Sequence, residues 1–190
     1  MSGDVFVHRE LPLNLFTEIN FFRCVAFRES FYGRTLSELH AGNLRPNNQS
    51  NRYSNLFPGM KTSYWSDSPE TAMAELKHHE KTKNTLSFWA YDDLTSTFPT
   101  LKNNEPIILI NGEHYNLSTI ISKSDNGQSL DDNDFLMLNR IIEANPDGLF
   151  YRSKVHPTGF NILLFEKGFS KLSLRRVRLR IAEEGHRTSN

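Results

Sequence analysis

The residues that could do chemistry begin in the stretch from Asn51 to Glu75. It combines an arginine, two tyrosines and several hydroxyl side chains, and it ends on a glutamate set among small and apolar residues. A helix is predicted there, and Glu75 falls on its inward face, where a carboxylate is rarely left without a partner. An i, i+4 pair with His79 or a core salt bridge would satisfy it structurally. The alternative is a catalytic carboxylate, and the residues alone leave both interpretations open.

A second candidate stretch surrounds Ser153. This serine falls where a predicted strand gives way to the turn at His156 and Pro157. Serine hydroxyls often bond to backbone groups in turns, so composition alone favours a structural role. A role for the Ser153 hydroxyl in a site stays open beside it.

The sequence indicates neither a metal site nor a cysteine nucleophile. The group Glu75, His78, His79 and Glu80 lacks the His-Glu-x-x-His spacing, and adjacent histidines on a helix point in different directions. Cys24 is the single cysteine, which excludes an intramolecular disulfide and a zinc site of several thiolates. No Cys-His signature accompanies Cys24, so we interpret it as a core cysteine. We expect no bound metal.

The overall charge gives no general attraction to nucleic acid or to acidic membranes. The chain carries 22 basic and 22 acidic residues, for a formal net charge of zero. Any basic site must therefore be local, and the candidate is the set Arg176, Arg178 and Arg180 on one face of the last predicted strand. That pattern is typical of a solvated or ion-paired face, and a nucleic-acid surface is the functional alternative.

The chain has the size of one ordinary domain. It has 190 residues, and its 14 phenylalanines favour a packed core over disorder. We expect a single catalytic domain over residues 1–182 and a polar tail over 183–190. The start from Met1 to Val7 lacks the features of a signal peptide, and the longest aliphatic run, Ile107 to Ile110, is too short to span a bilayer. We therefore expect a cytoplasmic protein without a membrane segment.

The elements that must position these residues are mostly strands. Apolar runs and alternation predict them at Phe21–Phe27, Thr62–Trp65, Leu86–Tyr91, Pro106–Ile110, Leu149–Ser153, Phe160–Phe165 and Lys171–Ile181, with a hairpin from Pro106–Ile110 into His114–Ile121 and a bulge near Arg175 and Arg176. One helix is predicted to begin after Ser68, with Pro69 as its first residue, and to run to about His79. A second helix is predicted at Asp131–Ala144, with an apolar stripe of Phe135, Leu138, Ile141 and Ile142. A short helix is predicted at Ser37–Leu39. Strands that follow one another directly, with few helices, favour the α+β class with mixed, mostly antiparallel sheets.

The ordered set of motifs resembles the RES-domain toxin family. The family pattern has an aromatic-Arg pair, Gly-Arg-Trp-Asn, Tyr-x-Ser-x-Ser before a helix with Ala and Glu, Tyr-x-Ser, and Asn-x-x-Leu-Phe. The chain shows, in the same order, Phe22-Arg23, Asn51-Arg52-Tyr53-Ser54, Tyr64 to Ser68, Ala72 to Glu75, Tyr151-Arg152-Ser153 and Asn161 to Phe165. Asn51, Tyr53 and Ser54 depart from the family residues. The resemblance covers roughly residues 20 to 180.

The resemblance implies a fold related to ADP-ribosyltransferases and consumption of NAD+ as a substrate, with no cofactor. It further implies the toxin of a toxin–antitoxin pair, with inorganic phosphate or water as acceptor and an antitoxin protein as partner. ADP-ribosylation of a protein is the first alternative. A non-enzymatic module that binds nucleic acid through the C-terminal arginines is the second.

Site roles follow from the same resemblance. Glu75 would stabilise the oxocarbenium-like ribose left when nicotinamide departs. Arg52, with Arg23 as a second candidate, would grip the pyrophosphate, Tyr64 would stack on nicotinamide, and Ser153 would bond to the ribose or to an incoming phosphate. The loop predicted over Asn43–Pro58 would order over bound NAD+ as a lid, against the alternative of a static loop.

Overall fold

The computed structural model describes residues 5–7, 20–31, 52–79, 84–92 and 107–181. In these ranges eight strands are present: β1 (Val5–Val7), β2 (Asn20–Ala26), β3 (Thr62–Ser66), β4 (Thr85–Asp92), β5 (Ile108–Asn111), β6 (Gly148–Arg152), β7 (Phe160–Phe165) and β8 (Leu172–Arg180). The α-helices of the same ranges are α1 (Arg52–Leu56), α2 (Pro69–His79), α3 (Leu117–Asp125), α4 (Asp132–Ala144) and α5 (Glu166–Phe169). Short 3-10 turns occupy Glu29–Phe31 and Gly112–Tyr115.

The strands form one sheet in the order β1-β5-β6-β7-β3-β2-β4-β8. Neighbouring strands are antiparallel except for β5 and β6, which run parallel. The predicted α+β class, with a mostly antiparallel sheet and few helices, is confirmed. Within the described part of the chain, no helix has the length and apolar character needed to cross a membrane.

Side-chain alternation along the strands builds a core on each face of the sheet. One face carries Leu149 and Leu163, which pack under α1 and α3. The other face carries Phe21, Trp65 and Phe88, all with fully buried side chains. Adjacent residues of a strand point to opposite faces of the sheet. Because both faces are covered here, successive strand residues are apolar instead of alternating between apolar and polar.

Several local predictions are confirmed. The helix predicted from Asp131 begins with a capping box, in which Asp131 accepts from the backbone N–H of Asp134 and the Asp134 carboxylate accepts in return. The last strand has its bulge between the pairs Trp89–Arg176 and Ala90–Leu174, so Arg175 is the extra residue. Leu172 and Val177 are five residues apart and would point to opposite faces of a regular strand. The extra residue of the bulge brings both side chains to the same face, where they pack in or against the core.

Two element predictions were wrong. His114–Ile121 does not form a hairpin with β5, because residues 112–115 turn as a 3-10 segment and α3 follows. Asn116 supports that turn in the left-handed conformation, with φ of 53°. The stripe predicted on α4 was too wide: Leu138 and Ile141 are buried, whereas Phe135 is 51% exposed.

The predicted loop over Asn43–Pro58 was wrong in its second half. Residues 52–56 form α1, and Tyr53, Leu56 and Phe57 are buried in the same core as Leu149. Tyr53, Leu56 and Phe57 anchor this half on the core, an arrangement in keeping with the static alternative, whereas the ordering of the loop by NAD+ stays a prediction. Residues 43–51, the helix predicted at 37–39 and the tail from 183 lie outside the described residues.

Candidate active site

The candidate site lies where strands β2 and β3 of the sheet separate. Along their described lengths, β2 and β3 pair at Phe22 and Ser66 alone, whereas every residue of β2 pairs with β4. The two strands therefore diverge, and a cleft of about 140 Å³ lies between them. Strand β2 contributes Arg23 to its wall, β3 contributes Tyr64 and Ser66, and α2 closes it with Glu75.

Helix α2 begins where the sequence predicts. Ser68 caps it, since the Thr71 backbone N–H donates to the Ser68 hydroxyl at 3.1 Å. Pro69 occupies the first helical position and Glu70 lies in the first turn. The i, i+3 spacing then turns Ala72 and Glu75 toward the sheet, where both are buried.

The Glu75 carboxylate is held by two side chains, one from the turn after β6 and one from β7. Its Oε1 accepts from the Ser153 hydroxyl at 2.8 Å and from the Asn161 amide at 2.7 Å. Its Oε2 lies 3.7 Å from Nε2 of His79, which is the i, i+4 contact expected of a paired glutamate. Glu75 is only 6% exposed, so these contacts fix its orientation in a protected environment. The structure thus gives Glu75 structural partners and a place in the cleft at the same time.

The Ser153 hydroxyl bonds both to its own turn and to Glu75. Its hydroxyl accepts from the His156 backbone N–H at 3.0 Å and donates to Glu75. The turn is tied to α2, because the His156 ring nitrogen Nδ1 and the Thr71 hydroxyl are 2.9 Å apart. Ser153 thus donates its single proton to Glu75 while one of its two lone pairs accepts from the turn.

Arg23 lies in the split between the diverging strands. It donates from one terminal guanidinium nitrogen to the Tyr64 carbonyl at 2.9 Å, while its buried Nε has no partner among the described residues. Desolvation lowers the pKa of Arg23 to about 10, with the charge interaction with Tyr64 opposing the shift. The guanidinium stays charged at neutral pH and can offer Nε–H to an anion.

Two further buried polar atoms of the site lack partners among the described residues. They are the Ser66 hydroxyl oxygen, which lies in the cleft wall, and the Asn161 oxygen Oδ1. The two residues are paired across β3 and β7, and both are at most 2% exposed. Buried polar groups are normally hydrogen-bonded, so we expect water or a polar ligand to bond to these atoms.

The structure brings four of the predicted site residues together, and the side chain of a fifth is not described. Glu75, Ser153, Arg23 and Tyr64 meet at the cleft or at its carboxylate. The Tyr64 ring stacks on Tyr53, with centroids 5.9 Å apart, so one of its faces is already covered. Arg52 is the first residue of α1, and its side chain lies outside what the structure describes.

Asn161, Ser66 and Thr71 have no role that the sequence predicts. They lie within the motifs or near the predicted helix start, but nothing in the linear sequence pairs them with Glu75 or with His156. A polar Asn at the second position of an otherwise apolar strand was the available signal. Asn161 is buried there because Glu75 accepts its amide hydrogen.

Cys24 also lines the cleft but is poorly suited to nucleophilic chemistry. Burial raises the pKa of its thiol, an effect only partly offset by hydrogen bonds with Ser87 and Thr85. Because the thiolate is the reactive form, we expect iodoacetamide to modify native Cys24 at higher pH than the chain unfolded in guanidinium. Mass spectrometry across a pH series measures this at the single cysteine. Equal rates for native and unfolded protein at neutral pH would contradict it.

Comparison with known proteins defines the class. The RES domain family model matches residues 21–181, and the chain belongs to the RES domain family. Among solved structures, it is similar to the crystal structure of the M. tuberculosis MbcT–MbcA toxin–antitoxin complex. That likeness has a TM-score of 0.49 and 9% sequence identity, and it covers 85% of this chain and 83% of that one. None of the curated proteins matches the chain.

Proposed function

We propose that this protein cleaves the nicotinamide–ribose bond of NAD+. The observation that carries the proposal is Glu75, a buried carboxylate oriented by Ser153 and Asn161 in a cleft that also holds Arg23. Membership of the RES domain family supports it. NAD+ is the substrate in this proposal, and neither a cofactor nor a metal takes part.

Cleavage of the nicotinamide–ribose bond needs a negative charge that is already positioned beside the ribose before nicotinamide departs. Loss of nicotinamide leaves positive charge on the ribose, and a fixed carboxylate stabilises that charge without reorganising. Two donors hold Oε1 of Glu75, while Oε2 remains available apart from the longer contact with His79. The ribose hydroxyls would take the open positions at Ser66 and Asn161.

The phosphates require cations at a short distance from that carboxylate. Arg23 has a free Nε–H among the described residues and lines the same cleft, and Arg52 is the second candidate. Tyr64 would contact nicotinamide from the cleft wall. Ser153 would act mainly through Glu75.

The acceptor decides which reaction results. Phosphate gives phosphorolysis and water gives hydrolysis, and we favour destruction of free NAD+ by one of them. Transfer of ADP-ribose to a protein is the alternative. We further propose that the protein is the toxin of a toxin–antitoxin pair, as the family resemblance implies, and that it acts in the cytoplasm.

Nicotinamide release tests the proposal. Purified protein is incubated with NAD+, with and without inorganic phosphate, and nicotinamide and the ribose product are separated by chromatography. Release that needs phosphate identifies a phosphorylase, and release without it identifies a glycohydrolase. If no nicotinamide forms under either condition, the proposed activity is wrong.

We expect Arg52→Lys to weaken NAD+ binding by about 10-fold, because lysine keeps the charge but loses the paired donors that grip two phosphate oxygens. Calorimetry in the Glu75→Gln background, which prevents turnover, gives the affinity. Nicotinamide, which has no phosphate, serves as the control ligand and should bind equally to both proteins. An unchanged NAD+ affinity would move the phosphate role to Arg23.

A further inference from the structure

A second cleft adjoins the Glu75 cleft and carries two arginines that the proposed reaction does not use. It measures about 200 Å³ and shares the wall formed by Phe22, Arg23 and Cys24. Its lining also includes Arg178 and Arg180 on the edge strand β8.

The registers of three strands place both arginines on the sheet face that lines this cleft. Cys24 pairs with Ser87, and Ser87 pairs with Arg178, so the three side chains form one row across the sheet. Thr85 and Arg180 form the next pair on the same face, two residues along β4. Residues in one row point to the same side of a sheet, so the arginines lie on the same face as Ser87 and Thr85, and Pro69, Ala72 and Met73 of α2 complete the lining.

The charge of this cleft is unbalanced. Arg23, Arg178 and Arg180 line it, and none of its described lining residues is a carboxylate. Neither Arg178 nor Arg180 has an ion pair with any described acidic residue. Because the lining includes arginines and no described carboxylate, it is positively charged, and an anion with several oxygens can accept paired hydrogen bonds from Arg178 and Arg180.

We propose that this second cleft is a phosphate-binding subsite in which Arg178 and Arg180 receive a phosphate group beside the Glu75 cleft. The phosphate has two sources: the pyrophosphate of a bound dinucleotide or free inorganic phosphate as acceptor. The assignment to either source rests on the proposed function, whereas the binding of phosphate itself does not.

The direct test is binding of inorganic phosphate and pyrophosphate by calorimetry. We compare the wild type with the double variant Arg178→Gln/Arg180→Gln, the two single variants, and Arg140→Gln as the matched control. Arg140 is an exposed arginine on α4, outside both clefts. We expect the double variant to lose at least about 10-fold in affinity and the control to stay within about twofold of wild type.

Kinetics distinguish the two sources. A higher KM for NAD+ with unchanged phosphate dependence assigns the subsite to the dinucleotide. A higher KM for phosphate, with a shift toward hydrolysis, assigns it to the acceptor. Should wild-type protein bind phosphate and pyrophosphate but release no nicotinamide, the subsite stands and the proposed function fails.

Two results would overturn the subsite. One is that wild type binds neither inorganic phosphate nor pyrophosphate. The other is that the folded double variant binds both as tightly as Arg140→Gln does. Circular dichroism and thermal melting confirm that the variants are folded, which is expected because both arginines are exposed.

Discussion

Glu75→Gln should abolish most NAD+ cleavage while leaving the fold intact, with a loss of at least about 100-fold in rate. Glutamine keeps an oxygen that can accept from Ser153 and Asn161, so the buried contacts survive. What disappears is the negative charge opposite the developing ribose cation. The measurement is the initial rate of nicotinamide release, together with the melting temperature.

The matched control for this variant is Glu70→Gln. Glu70 lies on the same helix but is exposed and outside the cleft, so its loss should leave the rate nearly unchanged. A Glu75→Gln variant that turns over NAD+ as fast as Glu70→Gln would show that Glu75 serves packing alone.

Gly159→Ala should have the largest effect on stability among the substitutions considered. A Cβ at this position would lie 2.0 Å from the Thr71 hydroxyl oxygen and 2.8 Å from Nδ1 of His156. Thr71 is fully buried, so it has little room to withdraw. We expect a loss of about 1–3 kcal/mol in the free energy of unfolding, as for other overpacked sites. Urea denaturation measures it.

The same substitution should lower activity, because it strains the turn that orients Ser153. Gly159 accepts from the Ser153 backbone N–H at 3.0 Å, and displacement of either residue moves the hydroxyl on Glu75. Adding Thr71→Ala removes the nearest clash and should recover part of the lost stability. Strictly additive effects of the two substitutions would show that the clash is not the cause.

Gly127→Ala is the comparison for a glycine that is needed only for its backbone conformation. Gly127 has φ of +67°, and a Cβ there would meet nothing within 4 Å. The cost should be about 1 kcal/mol, from the left-handed conformation alone, and nicotinamide release should be unaffected.

Local chemistry in the sequence predicted much of the framework. Ser68 and Pro69 predicted the start of α2, and Asp131 predicted the start of α4, because caps act within one turn of helix. The hairpin expected after Asn111 failed, since the turn signal there belongs to a 3-10 segment that leads into a helix. A short apolar run does not distinguish a strand from a buried helix until its neighbours are known.

By itself the sequence determined the class of the fold, the family resemblance, and the inward position of Glu75 on α2. These follow from periodicity and from motif order, which are local properties of the chain. Only the tertiary structure decided which groups meet Glu75: Ser153 is 78 residues away in sequence and Asn161 is 86. It also decided where the sheet splits beside Arg23 and which arginines line the adjoining cleft. Strand order and register set these contacts, and they depend on packing between segments that are distant in the chain.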